Sequence, residues 1–280
     1  MFGRNSIVVQ KYFNEAADDQ LFVTSIFYTL QGEGPYRGEP AVFVRLAKCN
    51  LACSFCDTYF DGGDWLTFEQ VDLRIGNAIR DYFDGVIPEW AEQKIGLVIT
   101  GGEPMLQKNL GAFLEYAKDH FAWTQIESNG TVWQDIPAET TLVCSPKCLE
   151  KDGKPVKYLK PNTDVMDRAD CLKFVMNADA DSPYSNIPDW AQEYASAGKK
   201  VFVSPMNVYN REPQKSKQMR STKNDITMEE RSAVDEVISF CEEGLLNMTE
   251  NQKNHEYTAQ YCARNGFTLN LQIHLYASLA

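Results

Sequence analysis

At 280 residues, with 44% hydrophobic and 24% charged side chains, the chain can bury a sizeable core as one large domain or two small ones. No run approaches the roughly 18 consecutive apolar residues of a membrane-spanning helix. The start MFGRNSIVVQKYFNEAADDQ lacks a basic region followed by an apolar stretch, so the expected compartment is the cytoplasm, and the formal charge of -12 speaks against broad contact with nucleic-acid phosphates.

Six short apolar, β-branched runs recur along the chain: AVFVRLA (41–47), IGLVIT (95–100), TQIES (124–128), TLVCS (141–145), LKFVM (172–176) and KVFVS (200–204). Each reads as continuously apolar, as a parallel strand covered on both faces would be. Between them, 67–83, 104–120 and 187–198 carry apolar residues at helical spacing, so the class is α/β. Six strands are too few for a closed eight-stranded barrel. The expected architecture is a partial β/α barrel, open on one side, with extra helical elements towards the C-terminus. Residues 207–225 carry Arg211, Lys215, Lys217, Arg220 and Lys223 and read as an exposed loop; 228–246 and the dozen residues after it read as helical, and 268–276 as an apolar alternating segment. The expected organisation is one domain over 1–280, with an N-terminal extension to about residue 20, a variable insertion with helices over about 207–265 and a closing segment at 268–280.

A polar or glycine-containing motif follows nearly every strand: KCNLACSFCDT, GGEP, NGT, PK and PMN. In barrel-like parallel sheets such loops build the active site, so these motifs are expected to meet at one mouth. Eight cysteines are too dilute for a disulfide scaffold, yet three fall in the pattern C-x3-C-x2-C at Cys49, Cys53 and Cys56. Chance supplies that spacing roughly 0.007 times in such a chain, so three thiolates are wanted here. Zinc would need a fourth ligand nearby, and the three histidines, His120, His255 and His274, are distant in sequence. An iron–sulfur cluster held by three thiolates leaves one iron open to a further ligand. Cys144 and Cys148 repeat the C-x3-C spacing without a third partner and read as buried packing.

Cys49-x3-Cys53-x2-Cys56 after the first strand, with Thr100-Gly101-Gly102-Glu103-Pro104 after the second, resembles the radical S-adenosylmethionine (SAM) superfamily. A glycine turn there lets backbone approach the methionyl amine of SAM. Within it, the stretch SIFYTLQGEGPYRGEPAVFVRLAKCNLACSFCDTYF (25–60) is similar to the 7-carboxy-7-deazaguanine synthase family, and the similarity resumes at ITGGEP, ESNGT, SPK, KFV, SPM and LQIHLYASLA. The resemblance implies a lyase of queuosine and 7-deazapurine biosynthesis that converts 6-carboxy-5,6,7,8-tetrahydropterin to 7-carboxy-7-deazaguanine with loss of ammonia. It implies a 4Fe-4S cluster on the three cysteines, SAM, Mg²⁺ on Thr58, an electron donor such as a flavodoxin, and a homodimer.

Carried over by motif, Leu30, Gln31 and Gly32 line the pterin site, Arg45 pairs a carboxylate, Thr100, Glu127, Asn129 and His274 read the bicyclic ring, and the carboxylate of Ala280 reaches the substrate. The residue chemistry agrees, since an Arg fork suits a carboxylate and a Glu near an Asn suits a guanine-like edge. SAM falls to Phe55, Cys56, Asp57, Gly102, Ser145, Pro146, Lys147, Ser204, Pro205, Met206 and Asn207. Ser204 departs from the family's usual Gln, which leaves backbone contacts there. No single acid or base is assigned. The plainer readings are a surface salt bridge for Arg45, a packing histidine for His274, a solvated Lys147 and a helix-capping Thr58. Two rival functions stand beside this one: another radical SAM enzyme such as a glycyl-radical activase, which leaves LQGEG unexplained, and a zinc-stabilised binding module.

Overall fold

The computed structural model describes residues 6–210, 244–273 and 275, with the backbone of 215–217 and 236–238. Its elements are β1 (Gln20–Leu30), β2 (Pro40–Leu46), β3 (Asp64–Thr67), α1 (Phe68–Tyr82), α2 (Ala91–Lys94), β4 (Gly96–Gly101), α3 (Leu110–Ala117), β5 (Thr124–Ser128), β6 (Thr141–Cys144), β7 (Cys148–Lys151), β8 (Lys154–Tyr158), α4 (Thr163–Arg168), β9 (Cys171–Met176), α5 (Asp189–Ser196), β10 (Lys200–Pro205), β11 (Lys215–Lys217), β12 (Glu236–Ile238), α6 (Met248–Asn265) and β13 (Thr268–Leu269). Nine strands make one sheet in the order β13-β10-β9-β6-β5-β4-β2-β1-β3. From β2 to β13 every pairing is parallel, and β1 and β3 add an antiparallel edge. This is a mixed α/β fold on a mostly parallel sheet.

All six runs anticipated as strands lie in that parallel ladder, but they are not uniform on their two faces. Ile26, Tyr28, Val42, Val44, Leu97, Ile99, Ile126, Leu172, Phe174 and Val203 share the main core with Val71 and Ile75 of α1 and Leu110, Phe113 and Leu114 of α3. The alternate positions point the other way. There, Val143, Cys171 and Phe202 form a separate apolar cluster. One residue pair further along the same face, polar side chains replace them: Arg45, Thr100, Glu127, Lys173 and Ser204. The runs look continuously apolar in sequence because the polar set falls at the next-to-last position of β2, β4, β5 and β10, with Lys173 alone inside its strand.

Local chemistry fixes several boundaries. Thr67 and Gln70 form a reciprocal capping box at the start of α1, and Gly266, at φ +73°, closes α6 in the left-handed region. The helix expected over 104–120 is only α3, flanked by 3-10 turns at Pro104–Leu106 and Lys118–His120. Glu103 caps the first turn, and the Asn109 amide is committed to the carbonyls of Ala17 and Gln20 rather than to capping α3. Two expectations need larger correction. Within the helix expected at 228–246, Glu236–Ile238 is a strand paired antiparallel with Lys215–Lys217, and residues 244–246 are not helical; the rest of that window lies outside the described residues. Among the described residues of the alternating segment 268–276 only Thr268–Leu269 is strand, because Asn270 turns inward to bond Gly34 N and Ser204 Oγ. The residues before 20 do more than extend the chain. Phe13 is buried with Phe22, Ala47 and Leu106, and Ile7 bridges to Cys49.

Candidate active site

The cysteine loop leaves β2 through Lys48, a non-glycine residue at φ 75°. That turn is held by Lys48 N donating to Phe60 O at 2.6 Å, by Val8 N donating to Cys49 O at 2.9 Å, and by the 2.6 Å Lys48–Asp61 ion pair. Cys49, Cys53 and Cys56 all face one chamber. Burial pushes the Cys49 and Cys56 thiols up to about 12 and Cys53 to about 11, with nearby carboxylates adding to each shift. Cys144, Cys148 and Cys171 are raised as far by burial, so the shift marks enclosure and the convergence on one chamber is what sets the three apart. Among the described residues no three His, Cys, Asp or Glu side chains converge on a point as a single-ion site requires. A multi-iron body fits the three sulfurs better than zinc does, since each thiolate of a cluster reaches a different iron.

The Gly-Gly-Glu turn after β4 packs directly on that loop. Gly102 N donates to Leu46 O at 3.0 Å and Glu103 N to Lys48 O at 2.9 Å. A Cβ on Gly102 would stand 1.8 Å from Lys48 O, and Gly101 sits at φ +126°. The glycines are therefore already required by this chain's own backbone approach, a cause nearer than the contact with SAM expected for them. Glu103 is fully buried and uses its carboxylate on Met105 N, Ser128 Oγ and Asn129 N, tying the turn to the loop after β5. Burial raises its pKa against those donors.

The polar layer of the sheet face joins this chamber to a second one. Glu33, Asp57, Thr58, Thr100, Glu127 and Gln272 line both. Leu30, Gln31 and Gly32 line the second, but not from the strand ends where the other motifs sit. Because β1 is antiparallel to β2, Leu30 pairs with Pro40 at the far end of the sheet, and the next residues cross the polar face. Gln31 Nε2 reaches Glu127 Oε1 at 3.3 Å, while Glu33 reaches Lys173 at 2.7 Å and Ser204 at 3.3 Å. Lys173 is 5% exposed and also holds Glu127 at 2.8 Å. Burial alone would lower the Lys173 ammonium's pKa, but the two carboxylates outweigh it and the net shift is upward.

Arg45 pairs in register with Thr100, lies over the Phe27 ring at 5.4 Å and donates to Thr58 Oγ1 at 3.0 Å. It is half-buried and makes no salt bridge among the described residues. Burial lowers its pKa, only partly offset by Asp57, Glu127 and Cys56, yet a guanidinium stays charged in proteins and can meet an anionic group. Thr58 Oγ1 donates to Asp57 Oδ1 at 3.1 Å, and no helix starts there, which removes the capping role. That hydroxyl and carboxylate are oxygen donors of the kind a hard cation takes.

Phe55, Asp57, Gly102, Asn129, Ser145, Lys147, Ser204, Pro205 and Asn207 line the cysteine chamber. Lys147 is not a solvated surface group; its Nζ donates to Ser145 O at 2.7 Å and Ser145 Oγ at 2.6 Å. Ser204 is 2% exposed and accepts from Asn270, and Asn207 donates to Gln272. Pro146 and Met206 are buried away from the chamber, Met206 against Cys148 and Tyr184. The Asn129 side chain is turned to the cysteine loop, bonding Asn50 at 3.0 Å and Thr131, instead of standing beside Glu127. Cys144 and Cys148 are buried, free and outside the chamber, as packing residues should be. His274 and Ala280 lie outside the described residues. Glu33 and Lys173 were missed as site residues. A lysine inside the apolar run LKFVM is the signal that could have found them, since a buried charge needs a partner.

No family model matches the chain. Among curated relatives, the 7-carboxy-7-deazaguanine synthase of Rickettsia prowazekii is 33% identical over 229 residues, covering 81% of this chain and 87% of the relative. The Rhodospirillum rubrum protein of the same name is 32% identical over 210 residues, covering 74% and 79%. The chain belongs to the 7-carboxy-7-deazaguanine synthase family. The crystal structure of QueE from Escherichia coli superposes with a TM-score of 0.53 at 20% identity, over 94% of this chain and 97% of that one, which supports the shared fold. In this member of the synthase family the cysteine chamber and the chamber beside Arg45 share the wall formed by Glu33, Asp57, Thr58, Thr100, Glu127 and Gln272, and no described helix is long and apolar enough to cross a membrane.

Proposed function

We propose that this chain is a radical SAM lyase that converts 6-carboxy-5,6,7,8-tetrahydropterin to 7-carboxy-7-deazaguanine, releasing ammonia, in queuosine and 7-deazapurine biosynthesis. The observation that carries this is the pair of chambers with a shared wall, one lined by three cysteines and the other by Arg45, Gln31 and Thr58. Cys49, Cys53 and Cys56 hold a 4Fe-4S cluster; Gly102, Lys147, Ser145 and the backbone near Ser204 to Asn207 hold SAM. When bound, cluster and SAM supply one-electron chemistry that takes a hydrogen atom from the substrate. The protein's part is placement and charge. Arg45 pairs the substrate carboxylate as a charge-assisted fork, Glu127 accepts from the amino-bearing ring edge, and Thr100 and Gln31 fix the ring between them. Thr58 and Asp57 offer oxygen to Mg²⁺ beside the substrate.

The whole chain acts as one radical SAM domain, a partial barrel of about six parallel strands, working as a cytoplasmic homodimer with a small flavodoxin-like electron donor. The test is an anaerobic assay with SAM, dithionite and the carboxytetrahydropterin, with and without Mg²⁺. Formation of the deazaguanine acid, stimulated by Mg²⁺, is expected. Cluster-loaded protein that cleaves SAM yet leaves the pterin unchanged would overturn the substrate assignment, and turnover indifferent to Mg²⁺ would remove the ion.

A further inference from the structure

The hairpin β7–β8 stands apart from the nine-stranded sheet, and none of the roles above uses it. It turns through Asp152 at φ 52° and Gly153 at φ 73°, two left-handed residues that make a tight two-residue connection. Its register shifts between Leu149 and Glu150, and a bulge of this kind re-aims the side chain next to it. Here the re-aimed side chain is Glu150. Its two carboxylate oxygens accept from Ser54 N at 2.9 and 2.8 Å, and one of them accepts from Ser54 Oγ at 3.1 Å. Ser54 is the residue between Cys53 and Phe55 in the Cys53-to-Cys56 turn, which Cys56 N closes on Cys53 O at 3.1 Å.

The hairpin also bears on the next residue through Tyr184. Phe55 meets the Tyr184 ring edge-on at 5.1 Å, and the Tyr184 hydroxyl accepts from Cys148 N, the first residue of β7, at 2.8 Å. Tyr158, the last residue of β8, packs edge-on against Tyr184 at 5.4 Å. Two consecutive residues of the cysteine turn are thus fixed, Ser54 by charge-assisted hydrogen bonds to the hairpin and Phe55 by packing on Tyr184, which the hairpin in turn holds.

We infer that Glu150 is a positioning residue for the cluster: it holds the Cys53–Cys56 turn in its ligand-bearing shape before iron arrives, and leaves a fixed negative charge beside Cys53. The inference rests on the cluster reading above. Groups behind metal ligands orient them and tune the metal, and a carboxylate there opposes adding an electron to the cluster. Glu150→Gln keeps an acceptor for Ser54 N and removes the charge; Glu150→Ala removes both.

The test uses full-length apo protein in three measurements: amide exchange at Ser54, the rate of anaerobic uptake of ferrous iron and sulfide, and the midpoint potential of the loaded protein. Glu150→Ala should expose the Ser54 amide to faster exchange and slow loading roughly 10-fold. Glu150→Gln should load at close to the wild-type rate with a more positive midpoint potential. Ser54 exchange and loading unchanged in Glu150→Ala would overturn the clamp, and a wild-type potential in Glu150→Gln would overturn the charge effect. If the wild-type protein took up no iron the cluster reading would fall instead, while Ser54 exchange in the apo variants would still decide whether the clamp exists.

Discussion

Lys173→Met tests the polar layer most directly, because it keeps the side chain's bulk and removes its charge. The ammonium lies 2.7 Å from Glu33 and 2.8 Å from Glu127, and the three side chains are 7, 14 and 16% exposed. Removing one partner from a buried ion group leaves uncompensated charge, at a cost of about 3–5 kcal/mol. For a chain this long, about 2 °C per kcal/mol gives a fall in Tm of about 6–10 °C. The loss has a pH signature. In the variant two carboxylates stand close together without the ammonium, so the destabilisation is present while both are ionised and the gap to wild type narrows with acidification. Urea unfolding of both proteins at neutral and mildly acid pH measures it. A gap that is constant with pH, or a Tm within about 1 °C of wild type, would refute the charge argument.

Cys53→Ala should abolish iron binding, whereas Cys144→Ala should retain wild-type iron and lose about 1–2 kcal/mol from the small cavity left at a fully buried site; iron analysis and thermal melts check both. The Thr29 hydroxyl is buried on the wall of the second chamber with no hydrogen-bond partner among the described residues. Thr29→Val should therefore leave Tm unchanged or raise it by a degree or two, about 1 kcal/mol, while raising KM for the pterin; a fall in Tm with KM unchanged would contradict that. Gly102→Ala drives a Cβ onto Lys48 O and should cost about 1–3 kcal/mol together with most of the bound iron, read by the same two measurements.

What could be read ahead of the structure was local. C-x3-C-x2-C is an eight-residue pattern, and the six parallel strands are short apolar runs whose identity does not depend on their neighbours. β1 is not legible as a separate strand because QLFVTSIFYTL runs straight into the LQGEG motif. The pairing that organises the polar layer joins Lys173 to residues 140 and 46 positions away, a distance over which periodicity carries no information. The reach of LQG across the sheet face follows from β1 being antiparallel, which no property of the motif itself records. Asn129, adjacent to Glu127 by alternation, was expected to share its task; the Glu103 carboxylate on its backbone N instead turns its side chain to the cysteine loop.

The bonds from Gly102 N to Leu46 O and from Glu103 N to Lys48 O run from main chain to main chain. The spacing between the thiolate loop and the glycine turn is thus written in atoms that every amino acid shares, and side-chain drift there is censored by the missing Cβ. The polar layer around Arg45, Glu127 and Lys173 has the opposite constitution, being made of side chains, on strand ends and loops alike, that can be exchanged one at a time. A lineage can rewrite the polar layer residue by residue while the distance between the two loops stays put.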